Sequence, residues 1–291
     1  MSLLDLLSSK PVLFDGAMGT ELQNRGLAVG SPPDLWNIEK PEVVRQVHLD
    51  YIRAGSHVVE TNTFGGTQSR LERSGAVEFV DSVNSTGAKI ALEAAGKTAA
   101  VVGSVGPLGS LIEPYGDISK EDAAGMFRKQ VETLRTYGVQ TILIETMISL
   151  DEALVALEGA KSAGASEVGV TMTFQRSGDE VRTAFGESAA DCVRRLEKAG
   201  ASFVGSNCGS GFEDMMLVAT EIRRSTRLPV LIQPNAGVPT VENNVVQYSG
   251  SPKGFAEFVR SVSKIGIEMI GGCCGTTPAH IEEARKVVDS L

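Results

Sequence analysis

Eight short apolar runs rich in β-branched residues recur along this 291-residue chain, and they limit what it can fold into. Each run is too short for a helix and apolar at almost every position, which is typical of parallel strands buried on both faces. Segments with helical spacing of apolar residues lie between the runs. The predicted strands are Pro11–Phe14, His57–Glu60, Thr98–Gly103, Thr141–Glu145, Glu167–Thr171, Phe203–Ser206, Pro229–Gln233 and Ile267–Ile270.

Helix boundary signals support this alternation of strands and helices. Pro41 and Gly55 bound one predicted helix, Ser119 is the predicted N-cap of another, and Thr277 and Pro278 begin the last. Further helices are predicted to end at glycines, namely Gly138, Gly164 and Gly200. Eight strand–helix units predict a single-domain (β/α)8 TIM barrel over residues 1–291. An open doubly wound sheet is the alternative, but no Gly-x-Gly-x-x-Gly fingerprint follows an early strand.

Composition and charge exclude several classes of function. The chain has 27 basic and 36 acidic side chains and a net charge of −9, which makes nucleic acid a poor electrostatic partner. No apolar stretch approaches the ~18 residues that a transmembrane helix needs, so no membrane association is expected. The first ten residues lack the basic region of a signal peptide. We therefore expect a cytoplasmic protein, in which its four cysteines stay reduced.

Polar residues occupy the ends of the predicted strands, and in TIM barrels the chemistry lies at the carboxyl ends of the strands. Because buried polar groups are costly unless they are paired, this ring predicts a polar pocket for a ligand or a metal. Two unusually long connections, residues 21–40 and 234–253, follow the first and seventh strands and belong to the same face. The ring comprises Asp15, Gly16, Ala17, Glu60, Thr61, Asn62, Glu145, Thr146, Asn207, Cys208, Asn235, Cys273 and Cys274.

Three of the four cysteines, Cys208, Cys273 and Cys274, belong to this ring. Neighbouring side chains on a regular strand point to opposite faces, but the glycines around the Cys273–Cys274 pair permit the backbone to curl. Three thiolates without a nearby histidine favour zinc, with a fourth position open. Spacing alone fits small buried hydrophobes or a Cys273–Cys274 disulfide as well. Cys192 lies in a helical pattern and is assigned to packing.

Seven segments at the predicted strand ends resemble the homocysteine S-methyltransferase family. The likeness is greatest to the homocysteine-binding module of cobalamin-dependent methionine synthases, and it extends from about residue 11 to the end of the chain. A single cysteine after Ser-Asn together with a later Gly-Gly-Cys-Cys-Gly is a highly specific combination. The segments are LFDGAMGTELQ (13–23), ETNTFGG (60–66), GSVGPLG (103–109), ETM (145–147), GSNCGSG (205–211), QPNAGVP (233–239) and GGCCGTTPAHI (271–281).

This resemblance implies a zinc-dependent barrel that methylates the sulfur of homocysteine to give methionine. By the same resemblance Cys208, Cys273 and Cys274 bind zinc, and the substrate sulfur completes the tetrahedron. The turn of Asp15, Gly16 and Ala17 and the carboxyl of Glu145 are expected to hold the amino-acid end of the substrate. Glu60 and Asn62 are expected to orient the groups around it. Without substrate, water or Asn235 is expected in the open position of the metal.

The predicted chemistry agrees with these roles. A free thiol is mostly protonated at neutral pH, and coordination to zinc generates the nucleophilic thiolate. Methyl transfer from a good leaving group needs no general acid, in keeping with three histidines, His48, His57 and His280, that lie away from the strand ends. The structural alternatives are that Asp15 caps a loop or pairs with Arg25, and that Glu145 forms a buried ion pair.

The sequence leaves the methyl donor open between a methylcorrinoid on a separate protein or domain and a small sulfonium such as S-methylmethionine. Betaine-using relatives carry tyrosine after the glutamate that matches Glu145, and Thr146 here argues against betaine. Because the chain ends at Leu291, we expect a truncated module or a stand-alone enzyme, and the motifs favour the corrinoid. A zinc hydrolase is disfavoured because an all-thiolate site is a poor Lewis acid. A non-catalytic module that presents homocysteine remains the alternative from another class, and the sequence gives no oligomeric state.

Overall fold

The protein is described from a computed structural model, which covers residues 3–7, 10–178, 180–209, 211–242 and 245–291. Eight of its strands form one parallel sheet in the order β1-β12-β9-β8-β5-β4-β3-β2. The twelve strands are β1 (Val12–Leu13), β2 (Val58–Glu60), β3 (Ala100–Val105), β4 (Thr141–Met147), β5 (Glu167–Met172), β6 (Gln175–Ser177), β7 (Glu180–Arg182), β8 (Phe203–Cys208), β9 (Val230–Pro234), β10 (Pro239–Glu242), β11 (Val245–Tyr248) and β12 (Met269–Ile270).

The sheet curls into a nearly closed barrel surrounded by helices, so the predicted TIM barrel is confirmed and the open doubly wound sheet is wrong. His57 N–H donates to Leu13 O at 2.7 Å, which joins the first strand to the start of the second. The helices are α1 (Met18–Asn24), α2 (Trp36–Glu39), α3 (Pro41–Ala54), α4 (Gln68–Arg73), α5 (Val80–Ala95), α6 (Lys120–Thr136), α7 (Leu150–Ser162), α8 (Ala189–Ala199), α9 (Phe212–Ser225), α10 (Pro252–Lys264) and α11 (Pro278–Ser290).

Helix boundaries follow the signals in the sequence. Ser119 Oγ accepts the N–H of Asp122 at 3.0 Å as the N-cap of α6. Thr277 caps α11 in a capping box, with Pro278 at the first helical position. Gly55 and Gly200 end α3 and α8 in the left-handed conformation that glycine adopts readily.

Strand ends and long connections differ from the prediction. β3 begins at Ala100 rather than Thr98, and β4 runs on to Met147 through an irregularity after Ile144. The predicted loop 234–253 contains the hairpin β10–β11, and a second hairpin, β6–β7, follows β5. The side chains of β6 are all exposed, so its sequence lacks the alternation of apolar and polar residues that predicts a half-buried strand. The second hairpin therefore could not be predicted.

The barrel interior is a closed apolar core below the site. Phe203 fills space that Gly169 on the neighbouring strand leaves free, since a Cβ at Gly169 would lie 2.0 Å from the Phe203 ring. Leu3, in the N-terminal segment, is fully buried against this core. The remaining interior side chains are Val12, Phe14, Val58, Ala100, Val102, Leu143, Leu231 and Met269.

A second apolar layer separates the sheet from the helices. Cys192 lies in it, fully buried on α8 beside Val193 and Leu196, as its helical context predicts. Among the residues that the structure describes, no helix is both long enough and apolar enough to cross a membrane.

His48 of α3 is a buried titratable group outside the barrel mouth. It is fully buried, and within the described part of the chain neither ring nitrogen has a hydrogen-bond partner. Burial lowers the pKa of His48 from 6.5 to about 4. Between these two pH values the unfolded chain binds a proton that the folded protein excludes, so the free energy of unfolding falls as the pH falls.

We expect His48 to cost the protein about 2 kcal/mol of stability between pH 8 and pH 5. Urea unfolding of the wild type and of His48→Leu at both pH values checks this, because the other titrating groups are common to the two proteins. The variant should lose about 2 kcal/mol less than the wild type. An equal loss of unfolding free energy in the two proteins would show that His48 takes up its proton equally in the folded and the unfolded state.

Candidate active site

A cavity of about 550 Å³ opens at the carboxyl ends of the barrel strands. Its floor combines sulfur and carboxyl groups, whereas its outer wall is built from the segments around α1 and α4. The residues of the floor are Asp15, Glu60, Ser104, Glu145, Asn207, Cys208, Gln233, Cys273 and Cys274. The structure thus places most of the residues that were predicted from the strand ends around one space.

Cys208, Cys273 and Cys274 form a sulfur cluster on this floor. Their three Sγ atoms all lie within 4.8 Å of one another, and all are free thiols. Cys208 is the last residue of β8 and has a φ of +63°, which turns its side chain out of the regular strand. Cys273 and Cys274 follow β12 in a turn, where Gly275 has a φ of +81°. The predicted curl of the glycine-rich segment is what brings the adjacent sulfurs together.

The cysteines of the cluster share hydrogen bonds. The thiols of Cys273 and Cys274 donate to the sulfur of Cys208 and hold its pKa far below the usual value. The same contacts raise the pKa of Cys273, and they raise that of Cys274 to about 11. Hydrogen bonding within the cluster therefore favours a thiolate at Cys208 over one at Cys273 or Cys274.

Side chains from outside the cluster also touch the sulfurs. Asn235 Nδ2 lies 3.7 Å from Cys208 Sγ and donates to Gly209 O at 2.8 Å, while its Oδ1 is buried without a partner among the described residues. Asn207 Nδ2 lies 3.9 Å from Cys273 Sγ. Tyr248, from the hairpin β10–β11, hydrogen-bonds to Cys274, and a Cβ at Gly275 would lie 2.2 Å from Tyr248 Cγ, so this ring needs glycine there. Water or Asn235 stays the predicted occupant of the open position of the metal.

Three carboxyl groups, of Asp15, Glu60 and Glu145, line the floor beside the sulfurs. Burial raises the pKa of each carboxyl, and it raises that of Glu145 to about 7. The charge of Glu145 further raises the pKa values of Asp15 and Glu60. Asp15 Oδ2 accepts the N–H of Glu60 at 3.0 Å, and Gln233 donates to Glu60 Oε1 at 2.8 Å. A cation in this site would favour the ionised forms of the carboxyls.

Both structural alternatives that involve ion pairs are wrong. Arg25 pairs with Glu21 and with Asp50, not with Asp15. Glu145 accepts hydrogen bonds from Ser104 Oγ and from Asn207 Nδ2, the latter at 3.0 Å. No basic side chain of the described residues forms a salt bridge with it. Its carboxyl is held by neutral donors, which leaves its charge for a ligand.

The turn at Gly16 and Ala17 is tightly packed. A Cβ at Gly16 would lie 2.7 Å from Thr276 Oγ1, so only glycine fits. Ala17 N–H donates to Thr276 O at 3.2 Å and to Thr276 Oγ1 at 3.1 Å. A substrate carboxylate would have to compete with Thr276 for this N–H. We therefore expect the N–H groups of Gly16 and of the first turn of α1, which line the same cavity, to bind the substrate carboxylate in place of Ala17.

Asn62 organises the loop around the cavity. Its Nδ2 donates to Pro33 O and to Asn37 Oδ1, both at 2.9 Å, so its amide fastens the segment before α2 to the end of β2. The hydroxyls of Thr61 and Thr63 are 2.6 Å apart, and Thr63 donates to Ser104 O at 2.7 Å. Asn62 thus shapes the wall of the cavity, and its expected role in orienting the groups around the substrate stays a prediction. Both protons of its amide nitrogen are donated to Pro33 O and Asn37 Oδ1.

The histidines lie away from the cavity, as the sequence predicts. His57 Nδ1 accepts the N–H of Leu13 at 3.0 Å at the start of β2. His280 Nε2 lies 3.1 Å from Gly250 O, behind the long connection. None of the three is among the residues that line the cavity.

Four residues of the site have no role among the predictions from the sequence: Ser104, Asn207, Gln233 and Tyr248. Ser104 and Asn207 hold Glu145, Gln233 holds Glu60, and Tyr248 holds Cys274. Asn207 and Gln233 stand in the motifs beside Cys208 and Asn235, so the motifs contain a signal for them. Tyr248 follows from no pattern in the sequence, because it reaches the site only when the connection folds into a hairpin.

Comparisons with known proteins agree with this geometry. Methionine synthase of Mycobacterium tuberculosis is 29% identical over 99% of this chain, and that of Mycobacterium leprae is 28% identical over 98%. The chain spans 25% of the length of each of these relatives. The crystal structure of the metallated form of the homocysteine methyltransferase MmuM from Escherichia coli superposes with a TM-score of 0.79 at 26% identity, covering 98% of both chains.

The fold and the site define the class: a TIM-barrel enzyme with a cluster of three cysteines at its active face. The profile of the homocysteine S-methyltransferase family matches residues 12–288, and the chain belongs to this family. The resemblance that the sequence motifs indicate is thereby confirmed.

Proposed function

We propose that residues 1–291 form a homocysteine-binding domain that holds zinc through Cys208, Cys273 and Cys274 and methylates homocysteine at sulfur to give methionine. One observation carries this proposal: the three cysteine sulfurs and the three buried carboxyls share the floor of one cavity. The substrate bears a thiol at one end and an ammonium at the other, and these are the two groups that such a floor takes.

The donor set fits zinc. Three cysteine sulfurs within 4.8 Å of one another can surround a tetrahedral dication and leave one position open, as in catalytic zinc sites. When bound, zinc supplies the positive charge that deprotonates a coordinated thiol and keeps its sulfur nucleophilic. Hydrogen bonds from Asn235 to Cys208 and from Tyr248 to Cys274 orient the cysteine ligands. We also propose a cytoplasmic location, where cysteines stay reduced and can bind zinc.

The carboxyls select the amino-acid end of the substrate. Among the described residues no basic side chain pairs with Glu145, Asp15 or Glu60, so an ammonium group in the cavity can compensate the charge of these carboxyls when they ionise. Its arrival lowers the raised pKa values of these carboxyls and favours their ionised forms. The substrate carboxylate is left to the N–H groups at Gly16 and in the first turn of α1, which lack helical acceptors. The contacts of the ammonium and of the carboxylate thereby fix a single orientation of the substrate in the cavity.

We further propose that the methyl group comes from a methylcorrinoid on another protein or domain. Exposed apolar side chains lie on the connections that follow the carboxyl ends of the barrel strands, and Tyr115 packs on Phe185 with ring centroids 5.6 Å apart. A small sulfonium would need the cavity alone, whereas several exposed apolar groups on one face are typical of a surface that binds a macromolecule. These side chains are Val29, Leu111, Tyr115, Ile148, Phe185 and Val238.

A donor assay tests both levels of the proposal. Zinc-loaded protein is incubated with homocysteine and either methylcobalamin or S-methylmethionine, and methionine is quantified by mass spectrometry. We expect methionine from methylcobalamin and at most a few per cent of that rate from S-methylmethionine. The opposite preference would leave homocysteine methylation intact and overturn the corrinoid donor. Methionine from neither donor would favour the homocysteine-presenting module.

A further inference from the structure

Asn207 occupies the point where the carboxyl and sulfur halves of the floor meet. It is almost fully buried, and its side-chain amide contacts residues from β4, from β5 and from the segment after β12. Thr146 N–H and Thr171 Oγ1 both lie 2.8 Å from its Oδ1. A backbone N–H can only donate, so the amide oxygen must face Thr146 and the amide nitrogen must face the cavity.

The amide nitrogen bridges the two halves of the site. The two protons of Asn207 Nδ2 are donated to Thr146 Oγ1 at 2.7 Å and to Glu145 Oε2 at 3.0 Å, and the same nitrogen lies 3.9 Å from Cys273 Sγ. Glu145 Oε2 and Cys273 Sγ are therefore held within about 7 Å of each other by one group. An amide with both ends engaged cannot rotate without breaking several hydrogen bonds, so this span is rigid.

The backbone around the bridge is strained, which shows that the arrangement is imposed. Thr146 has a φ of +62°, a left-handed conformation that a β-branched residue rarely adopts. Cys208, next to Asn207, has a φ of +63°. The register of β4 against β5 shifts over the same residues, and such irregularities re-aim side chains. The hydrogen bond from Thr146 N–H to Asn207 holds the strained turn in place.

We propose that Asn207 is a positioning residue that sets the distance between the ammonium site and the metal-binding sulfurs, and so selects the chain length of the aminothiol. This inference rests on the proposed function. Homocysteine and cysteine carry the same ammonium, carboxylate and thiol groups and differ by one methylene. Chemistry cannot distinguish them, whereas a fixed span can, because the shorter molecule cannot reach both ends of the floor at once.

Binding of the two thiols to cobalt-substituted protein tests the proposal. The thiolate-to-cobalt absorption band reports each thiol that joins the metal, so no turnover is needed. We expect the wild type to prefer homocysteine over cysteine by ~100-fold, and Asn207→Ala to keep its cobalt but to prefer homocysteine by less than ~10-fold. Thr173→Val is the matched control, because Thr173 Oγ1 bonds only the backbone O of Asn207, at 3.1 Å, and its preference should equal the wild type's.

The outcomes separate the two proposals. Wild-type protein that binds neither cobalt nor homocysteine overturns the proposed function and the role of Asn207 with it. Wild type and Asn207→Ala with the same preference overturn the role of Asn207 alone, because a merely structural residue would weaken both thiols equally. Should Asn207→Ala fail to fold, Thr171→Val frees the amide oxygen on one side, and an unchanged preference in that variant also overturns the proposal.

Discussion

Replacing Cys208 by serine will remove the metal and the methyl transfer together. A serine hydroxyl is a far poorer zinc ligand than a thiolate, and in the described part of the chain the cluster has two other sulfurs, those of Cys273 and Cys274. Groups that merely orient a metal ligand are worth ~10–100-fold in affinity, so the loss of a ligand will weaken zinc binding by at least ~100-fold. We expect turnover to fall by at least ~1,000-fold, because the open position for the substrate sulfur disappears with the metal.

Cys192→Ala is the matched control for this prediction. Cys192 is also a buried reduced cysteine, but it lies on α8 in the apolar layer, apart from the cluster. Zinc content by elemental analysis and methionine formation are compared for the two variants and the wild type. Cys192→Ala should keep about one zinc per chain. Wild-type zinc content and turnover in Cys208→Ser would exclude the three-sulfur site.

Most of the barrel could be predicted from the sequence because its strands are buried on both faces. Within Thr141–Met147, Ile142, Leu143 and Ile144 are apolar in succession and buried, a pattern that is typical of a covered parallel strand. The hairpins β6–β7 and β10–β11 lack this constraint. The exposed side chains of Gln175–Ser177 carry no burial signal, so the local pattern contains no information about the pairing.

The candidate site could be predicted only as far as the ends of strands determine it. Asp15, Glu145 and Cys208 lie at or beside the carboxyl ends of strands of one parallel barrel, so topology alone brings them together. The proposed role of Asn207 depends on the positive φ of Thr146 and the irregular register of β4, which residue types alone do not predict. Ala17 shows the converse: its place in the site was predictable, but the hydrogen bonds from its N–H to Thr276 were not.

Replacing Glu145 by glutamine will weaken homocysteine binding by about 100-fold. Glutamine keeps the size of the side chain and removes the charge that faces the ammonium. Because Asp15 and Glu60 remain in the same cavity, the loss should be smaller than for a lone buried ion pair. Glu152→Gln is the matched control, since Glu152 is a buried carboxyl that accepts the N–H of Leu108 at 2.8 Å outside the cavity.

The measurement compares homocysteine with 4-mercaptobutyrate, which has the same chain, thiol and carboxylate but no ammonium. In the wild type the ammonium should strengthen binding by about 100-fold, and in Glu145→Gln the two thiols should bind nearly equally. Glu152→Gln should behave as the wild type. A full preference for homocysteine in Glu145→Gln would assign the ammonium to Asp15 and Glu60 instead.

The pH dependence of this preference has a definite sign. Burial raises the pKa of Glu145 to about 7, so in the empty site its carboxyl is largely protonated at pH 5.5 and largely ionised at pH 7.5. Only the ionised form attracts the ammonium, and the preference for homocysteine over 4-mercaptobutyrate should therefore rise roughly tenfold across this range. Deprotonation of the thiol affects both ligands alike and cancels in the ratio. Glu145→Gln should show a smaller rise, because only Asp15 and Glu60 of the three carboxyls are left to titrate beside the ammonium.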